Sequence, residues 1–320
     1  MEKRLADFKY LLLSLTLFLF SCKKNTIPRS NPFAVASTGI TDSVTFIVIG
    51  DWGTEGSGNQ KAIADQMDIQ SRKFNAQFII TTGDNFYPVG VKGTDDPHWK
   101  NSFYDVYNKI GHDIPWYPVL GNHDYASNPQ AQVDFSSKSK RWTMPSRYYH
   151  KNKKLSDSLN ALFVFTDTSP FLRGYHRRDR GDIRLQDTAA QLNWLKNTLS
   201  ASKDKWKIVI GHHPIYSAGS HGRTITLLNL FKPAFLRKNV DFYISGHDHS
   251  LQYLKKSNQP VRYLISGGGS SNTSVYKRSY NVFAKSTTGF LIMTLYATKA
   301  NFYFINQNGD TVYSNQVVKT

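Results

Sequence analysis

Cysteine is nearly absent: Cys22 is the one cysteine in 320 residues. A single thiol closes no intramolecular disulfide and builds no thiolate zinc site, which removes disulfide scaffolds and zinc ribbons from consideration. Long apolar runs are missing as well. The stretch from Tyr10 to Phe20 is broken by Ser14 and Thr16, and it falls short of the roughly 18 residues that cross a bilayer as a helix. Acidic residues are scarce, with Asp and Glu numbering 23 against 40 Lys and Arg, so the formal charge is +17. That surplus draws anions such as nucleic acid, acidic surfaces or phosphorylated substrates, but it specifies no fold. What the chain does have is apolar material: 40% hydrophobic and 14% aromatic. These fractions exclude a mostly disordered chain, and the length supplies a large core.

The N-terminus has an order of its own. Lys3, Arg4 and Lys9 precede the apolar stretch, and Ser21, Cys22, Lys23 and Lys24 follow it. This is the layout of a secretory signal peptide. Leu19-Phe20-Ser21-Cys22 resembles a bacterial lipobox, in which the cysteine is lipidated and becomes the mature N-terminus. The sequence therefore predicts a lipoprotein-type leader over 1–21, a flexible tether over 22–42 rich in Ser, Thr, Asn and Pro, and a folded domain over 43–320. An acyl chain anchors without spanning. The expected location is extracytoplasmic, in the periplasm or at the cell surface.

Past the tether, short β-branched runs alternate with helical patterns, which is the signature of an α/β fold. Strands are expected at Val44 to Ile49, Phe78 to Thr82, Trp116 to Leu120, Leu162 to Thr166, Lys207 to Ile210 and Asp241 to Ser245. Later ones are expected at Tyr263 to Ile265, Phe290 to Tyr296 and Phe302 to Ile305. Residues 59–73 carry helical spacing. Asp187 is a good N-cap for a helix over Thr188 to Ser200. Asn308-Gly309 reads as a hairpin turn.

Five of the strands end in glycine followed by a polar side chain. The loops are Gly50-Asp51-Trp52-Gly53, Gly83-Asp84-Asn85-Phe86-Tyr87, Gly121-Asn122-His123-Asp124, Gly211-His212-His213-Pro214 and Gly246-His247-Asp248-His249. In open α/β proteins the chemistry lies beyond the carboxyl ends of the strands. Carboxylate, amide and imidazole donors together suit iron, manganese or zinc better than calcium. A pair of ions needs more donors than one loop offers, so several loops must converge.

The five motifs in this order resemble the metallophosphoesterase superfamily. Tyr87, three residues after Asp84, narrows the resemblance to the purple acid phosphatases, and the spacing is most similar to the small tartrate-resistant type. The resemblance spans roughly residues 44–310. It implies a four-layer αββα sandwich of two mixed sheets flanked by helices. It implies Asp51, Tyr87 and His249 as ligands of a ferric ion and Asp84 as the bridging carboxylate. Asn122, His212 and His247 then match the ligands of a divalent ion, which can be Fe, Zn or Mn. The implied reaction is hydrolysis of phosphate monoesters at acidic pH by metal-bound hydroxide. The carboxylates and phenolate neutralise only part of the ionic charge, so such a centre attracts phosphate.

His123 and His221 match family histidines near the leaving group, with His221 expected as proton donor and His123 as phosphate stabiliser. Asp248 is expected to hydrogen-bond behind the ligands. His213 is expected either behind them or against substrate. His98, His112, His150 and His176 are expected at the surface or in the core. Gly267-Gly268-Gly269 lacks the Lys-Ser/Thr of a P-loop and reads as a close turn beside the site. The arginines from Arg173 to Arg184 read as a solvated loop, with an electropositive rim as the alternative. The expected substrate is a phosphorylated small molecule or protein, with a membrane contact through the lipid on Cys22. No motif that reads nucleic acid is present. A phosphodiesterase or nucleotidase of the same superfamily is the alternative activity.

Overall fold

In Ser43–Ile49 (β1) every residue from Val44 onward is buried. Such a strand, apolar on both faces, belongs in the middle of a covered sheet. The computed structural model describes residues 43–176 and 180–319. The expected leader, the expected lipidation site Cys22 and the expected tether lie outside the described residues. Phe78–Thr81 (β2) and Trp116–Pro118 (β3) pair in parallel beside β1. The second sheet begins with Tyr149–Lys154 (β4), Asn160–Phe165 (β5), Trp206–Ile210 (β6) and Phe242–Ser245 (β7). It is completed by Leu251–Lys255 (β8), Arg262–Ser266 (β9) and Asn281–Lys285 (β10). Gly289–Tyr296 (β11), Lys299–Asn306 (β12) and Thr311–Val318 (β13) return to the first sheet.

The six-stranded sheet runs β13-β12-β11-β1-β2-β3, and the seven-stranded one β10-β8-β9-β7-β6-β5-β4. Both are mixed: β1-β2-β3 and β5-β6-β7-β9 are parallel, and the flanking pairs are antiparallel.

Side-chain alternation assigns the layers. In β5 and β6, Ala161, Phe163, Phe165, Ile208 and Ile210 join the core between the sheets. Their neighbours Leu162, Val164 and Val209 point the other way, as a period of two requires. There they meet Leu195 and Leu199 of the helix Thr188–Ala201, and Leu227, Phe231 and Phe235 of the helix Ile225–Arg237. On the opposite side, the helix Gln60–Phe74 covers β1 and β11. Phe163 meets Phe46 and Phe78 edge-on at 5.1 and 5.3 Å, joining the two sheets. The result is the expected sandwich of two mixed sheets between helices.

Several boundaries differ from the sequence expectation. The third strand stops at Pro118, two residues early. Four strands, β4, β8, β10 and β13, and three helices, Gln130–Asp134, Arg173–His176 and the long Ile225–Arg237, differ from the expectation by being there at all. Asp187 does cap its helix, accepting the Ala190 amide at 2.9 Å. The β12–β13 hairpin turns through Gly309 at φ 86°, but its loop spans 307–310.

Candidate metal centre

The carboxyl ends of β1, β2 and β3 from one sheet, and of β6 and β7 from the other, open at one place. Their loops are tied together through backbone hydrogen bonds. The Asp51 amide donates to the Gly83 carbonyl at 3.0 Å, and the Gly246 amide to the His212 carbonyl at 3.0 Å. Trp52 is fully buried among Phe86, Phe103, Tyr107, Trp116 and Trp142, which fixes the loop after β1 from below. Asp51, Asp84 and His247 adopt left-handed backbone at φ 59°, 47° and 69°. Each such non-glycine residue costs about 1–3 kcal/mol and persists only where the surroundings enforce it. Two glycines have a clear steric reason: a Cβ at Gly121 would overlap Asp84 Oδ1, and one at Gly246 would overlap Asp51 Oδ2.

The side chains converge in two groups that share Asp84. In the first, the Tyr87 hydroxyl lies 3.2 Å from Asp51 Oδ1, 3.1 Å from Asp84 Oδ2 and 3.1 Å from His249 Nε2. In the second, His212 Nε2 lies 3.3 Å from Asp84 Oδ2, 3.2 Å from Asn122 Oδ1 and 3.2 Å from His247 Nδ1. A hydroxyl has one proton to donate and an ionised carboxylate has none. The lone pairs therefore outnumber the available protons, and a cation is what such a cluster lacks. Hydrogen bonds behind the ring aim the imidazoles. His212 donates Nδ1–H to the Thr82 carbonyl at 2.8 Å, which leaves Nε2 as a lone-pair donor. His249 Nδ1 meets Ser271 Oγ at 2.8 Å, so its Nε2 also faces inward. The donor set fits a pair of transition-metal ions of mixed hardness.

The electrostatics show the same strain. Burial pushes Asp84 up, but the charges of His212, His123 and His247 outweigh it and hold the carboxyl well below its usual range. Burial pulls His212 down, yet Asp84 and Asp51 raise it to about 9. Burial, then the charges of Asp84 and Asp51, drive the Tyr87 phenol well above its usual range. Burial, then the charge of the neighbouring His212, hold the His247 imidazole well below its usual range.

A cavity of about 410 Å³ opens over this cluster, and His123, His221, Tyr175 and Arg180 complete its wall. His123 donates Nδ1–H to the Pro88 carbonyl at 2.6 Å. His221 Nδ1 lies 2.9 Å from Asp248 Oδ1, and its ring lies 4.1 Å from that of His247. Asp248 is fully buried and also accepts from Ser217, so it holds the His221 ring from behind, as the sequence suggests. His213 is buried too, with Nδ1 2.9 Å from Thr168 Oγ1 and Nε2 3.1 Å from the Tyr175 hydroxyl. Of its two readings, the structure favours the one behind the ligands. Gly269 binds under Gly50 at 2.9 Å, a close turn beside the site.

All nine residues singled out in the sequence thus lie around one cluster. Three further contributors have contacts that the sequence does not specify. Arg180 donates to the Asn122 carbonyl at 2.6 Å and stacks over Tyr175 at 5.6 Å, which lifts one arginine out of the expected solvated loop. Arg177 and Arg178 lie outside the described residues. Ser271 aims His249. Asp124 gathers the amides of Asn85 and Gly121 and the Gln132 side chain, binding two metal loops to each other. The acid of Gly121-Asn122-His123-Asp124 was the available signal for this last role.

Residues 44–251 match the model of the calcineurin-like phosphoesterase family. Purple acid phosphatase 7 of Arabidopsis thaliana is 32% identical, over 98% of this chain and 97% of the relative. Human tartrate-resistant acid phosphatase type 5 is 34% identical, over 72% of this chain and 74% of the relative. Among solved structures, GAP50, the anchor in the inner membrane complex of Plasmodium, superposes with a TM-score of 0.78 at 28% identity. It covers 87% of this chain and 89% of that one. The purple acid phosphatase PPD1 of yellow lupin, at 13% identity and a TM-score of 0.65, shares the fold over 88% of this chain and 55% of its own.

Proposed function

The chain belongs to the purple acid phosphatases of the calcineurin-like phosphoesterase family, and on that premise we propose which of its residues carry the reaction. The protein hydrolyses phosphate monoesters at a centre of two metal ions that includes iron. One observation supports the assignment of residues above all: the Tyr87 hydroxyl, two carboxylates and the His249 imidazole crowd together with too few protons among them. Asp51, Tyr87 and His249 would hold a ferric ion, and Asn122, His212 and His247 a divalent one, with Asp84 shared. Zinc, manganese or iron suits the second position, because oxygen and imidazole donors accept all three. When bound, the ions supply charge stabilisation and lower the pKa of water.

The remaining work belongs to the chain. The leaving oxygen needs a proton. His221 has Nδ1 occupied by Asp248, and hydrogen bonding to His221 helps hold Asp248 below its usual range despite burial. Its other nitrogen is therefore the one that serves as general acid. His123, with Nδ1 held by Pro88, offers Nε2 to a phosphate oxygen. Arg180 adds a fixed guanidinium at the same wall.

The test is the visible spectrum and metal content of the purified protein, together with turnover of matched mono- and diester substrates. A broad charge-transfer band lost in Tyr87→Phe, with faster monoester turnover, is the expected result. A colourless protein holding two divalent ions would remove the ferric assignment. Faster diester turnover would favour the phosphodiesterase alternative.

The same reading places the protein outside the cytoplasm on a lipid anchor at Cys22, acting on phosphorylated small molecules or proteins. Its support is the order of charges, apolar residues and cysteine in 3–24. Labelling cells with an alkyne fatty acid checks it: the label should disappear in Cys22→Ser, and an unlabelled native protein would end the idea.

A further inference from the structure

Beside the metal centre lies a second and larger cavity, of about 530 Å³, that the reaction above does not use. It adjoins the centre through two shared walls, Tyr87 and His249, and its open remainder is lined by Pro88, Ser271, His98 and Glu55 among others. Its charge is unlike that of the rest of the molecule. The chain carries +17, and the cavity over the metal cluster has Arg180 in its wall. Here no lysine or arginine lines the space among the described residues, and the one full charge is the Glu55 carboxylate.

Glu55 is placed deliberately. Its backbone is left-handed at φ 53°, a conformation that costs a glutamate free energy and that asparagine or glycine would adopt more readily. Its amide is fixed on Ser102 Oγ at 3.0 Å. The same hydroxyl holds His98 Nδ1 at 3.0 Å, and His98 in turn packs edge-on to Phe86 at 5.9 Å. Glu55 Oε1 then lies 3.7 Å from His98 and 3.4 Å from the Asn101 amide, yet about half of its side chain stays exposed. Strained backbone under a charged side chain at the edge of a cavity is the pattern of a recognition site.

Resting on the phosphatase reading, we propose that this cavity is a specificity subsite for the organic half of the substrate, and that it takes a hydrocarbon arm ending in an ammonium group read by Glu55. The phosphate would sit over the metal cluster. The arm would pass Tyr87 and His249, whose ring faces and edges suit methylenes. The cation would meet the carboxylate at the far wall. Such a substrate is a zwitterion, so the protein's positive field acts on its phosphate while the local acid orients its other end.

The test uses non-hydrolysable probes on the metal-loaded full-length protein. Binding of ω-aminoalkyl phosphonates with two to eight carbons is compared, by calorimetry, with that of neutral alkyl phosphonates of equal length. The ammonium series should bind about tenfold tighter or more at one preferred length, the size of effect a charge-assisted hydrogen bond gives. That ratio should fall to about one in Glu55→Gln and invert in Glu55→Lys, where a positive charge replaces the negative one. A ratio near one at every length, or a preference that survives Glu55→Gln, overturns the subsite. Turnover of p-nitrophenyl phosphate is measured alongside. A Glu55-dependent preference without turnover would sink the phosphatase reading and keep the subsite, and turnover without the preference would do the reverse.

Discussion

His221 shows how far a single side chain can be assigned from its partners. It is about half exposed, and its ring is oriented by one buried carboxylate. A general acid contributes about 10²–10⁴-fold only where the leaving group needs a proton. We therefore expect His221→Ala to lower kcat/KM by that much on an alkyl phosphate and far less on p-nitrophenyl phosphate, whose phenolate leaves unaided. Asp248→Asn, which keeps the shape but not the charge behind the ring, should move the alkaline limb of the alkyl phosphate pH–rate profile to lower pH, because the acid works only while protonated. Equal losses on both substrates would reduce His221 to a packing partner of His247. The glycines carry a different residue-scale lesson. Gly121 and Gly246 were visible as motif positions, but their reason is steric: each lies directly against a metal-cluster aspartate.

Among elements, the wall behind the metal cavity is held by a buried polar chain rather than by apolar packing alone. Arg147 forms an ion pair with Asp182 at 2.8 Å and donates to the Tyr125 hydroxyl at 3.0 Å, and Tyr125 donates to Asp167. Asp167 follows β5 and is almost wholly buried, and its Oδ1 has no partner. Burial raises its carboxyl to about 7, against 3.8 in an unfolded chain. The folded state thus keeps a proton that the unfolded state releases between those values. Stability is then greatest on the acid side and falls as pH rises from about 4 to 7. Shifts of this size amount to on the order of 4 kcal/mol. Asp167→Asn cannot titrate, so the stability of the native protein relative to this variant should decline over that range in denaturant melts. Parallel curves would mean the carboxyl is ionised in the fold.

The same scale explains what could be read from the sequence. β1, β2, β5, β6 and β7 are legible because buried parallel strands are apolar runs, and all of them but β5 announce their loops with a glycine. β4 reads Tyr-His-Lys-Asn-Lys-Lys, an edge strand that buries only Tyr149 fully, with Lys153 lying along Phe78 and Tyr117. Its lysines read as solvent. β10 and β13 are edge strands too, and only Val317 in them is buried. The helix Ile225–Arg237 carries Pro233 in its interior, where proline ordinarily ends a helix. The metal residues were legible because five motifs repeat one grammar. Arg180, Ser271 and Glu55 were not, because each acts through a contact distant in sequence.

Across the whole molecule, charge and cavity separate into two effects that salt distinguishes. The net +17 is a long-range field, and at 0.15 M ionic strength such a field is screened beyond about 8 Å. Arg173 and Arg184 are exposed and can act only through that field, apart from the bond of Arg184 to the His176 carbonyl. Arg180 stands inside the cavity wall, against Asn122. If the surface steers phosphorylated substrates, kcat/KM falls several-fold between about 0.02 and 0.5 M salt while kcat holds, because steering is an encounter effect. The double variant Arg173→Gln/Arg184→Gln should flatten that slope and converge with the native protein at high salt. Arg180→Gln should instead weaken substrate binding at every salt concentration, because a contact inside the cavity is screened much less. An unchanged slope in the double variant would show that these arginines are only a solvated surface, and convergence of the Arg180 variant at high salt would move that residue from the cavity's contacts to its field.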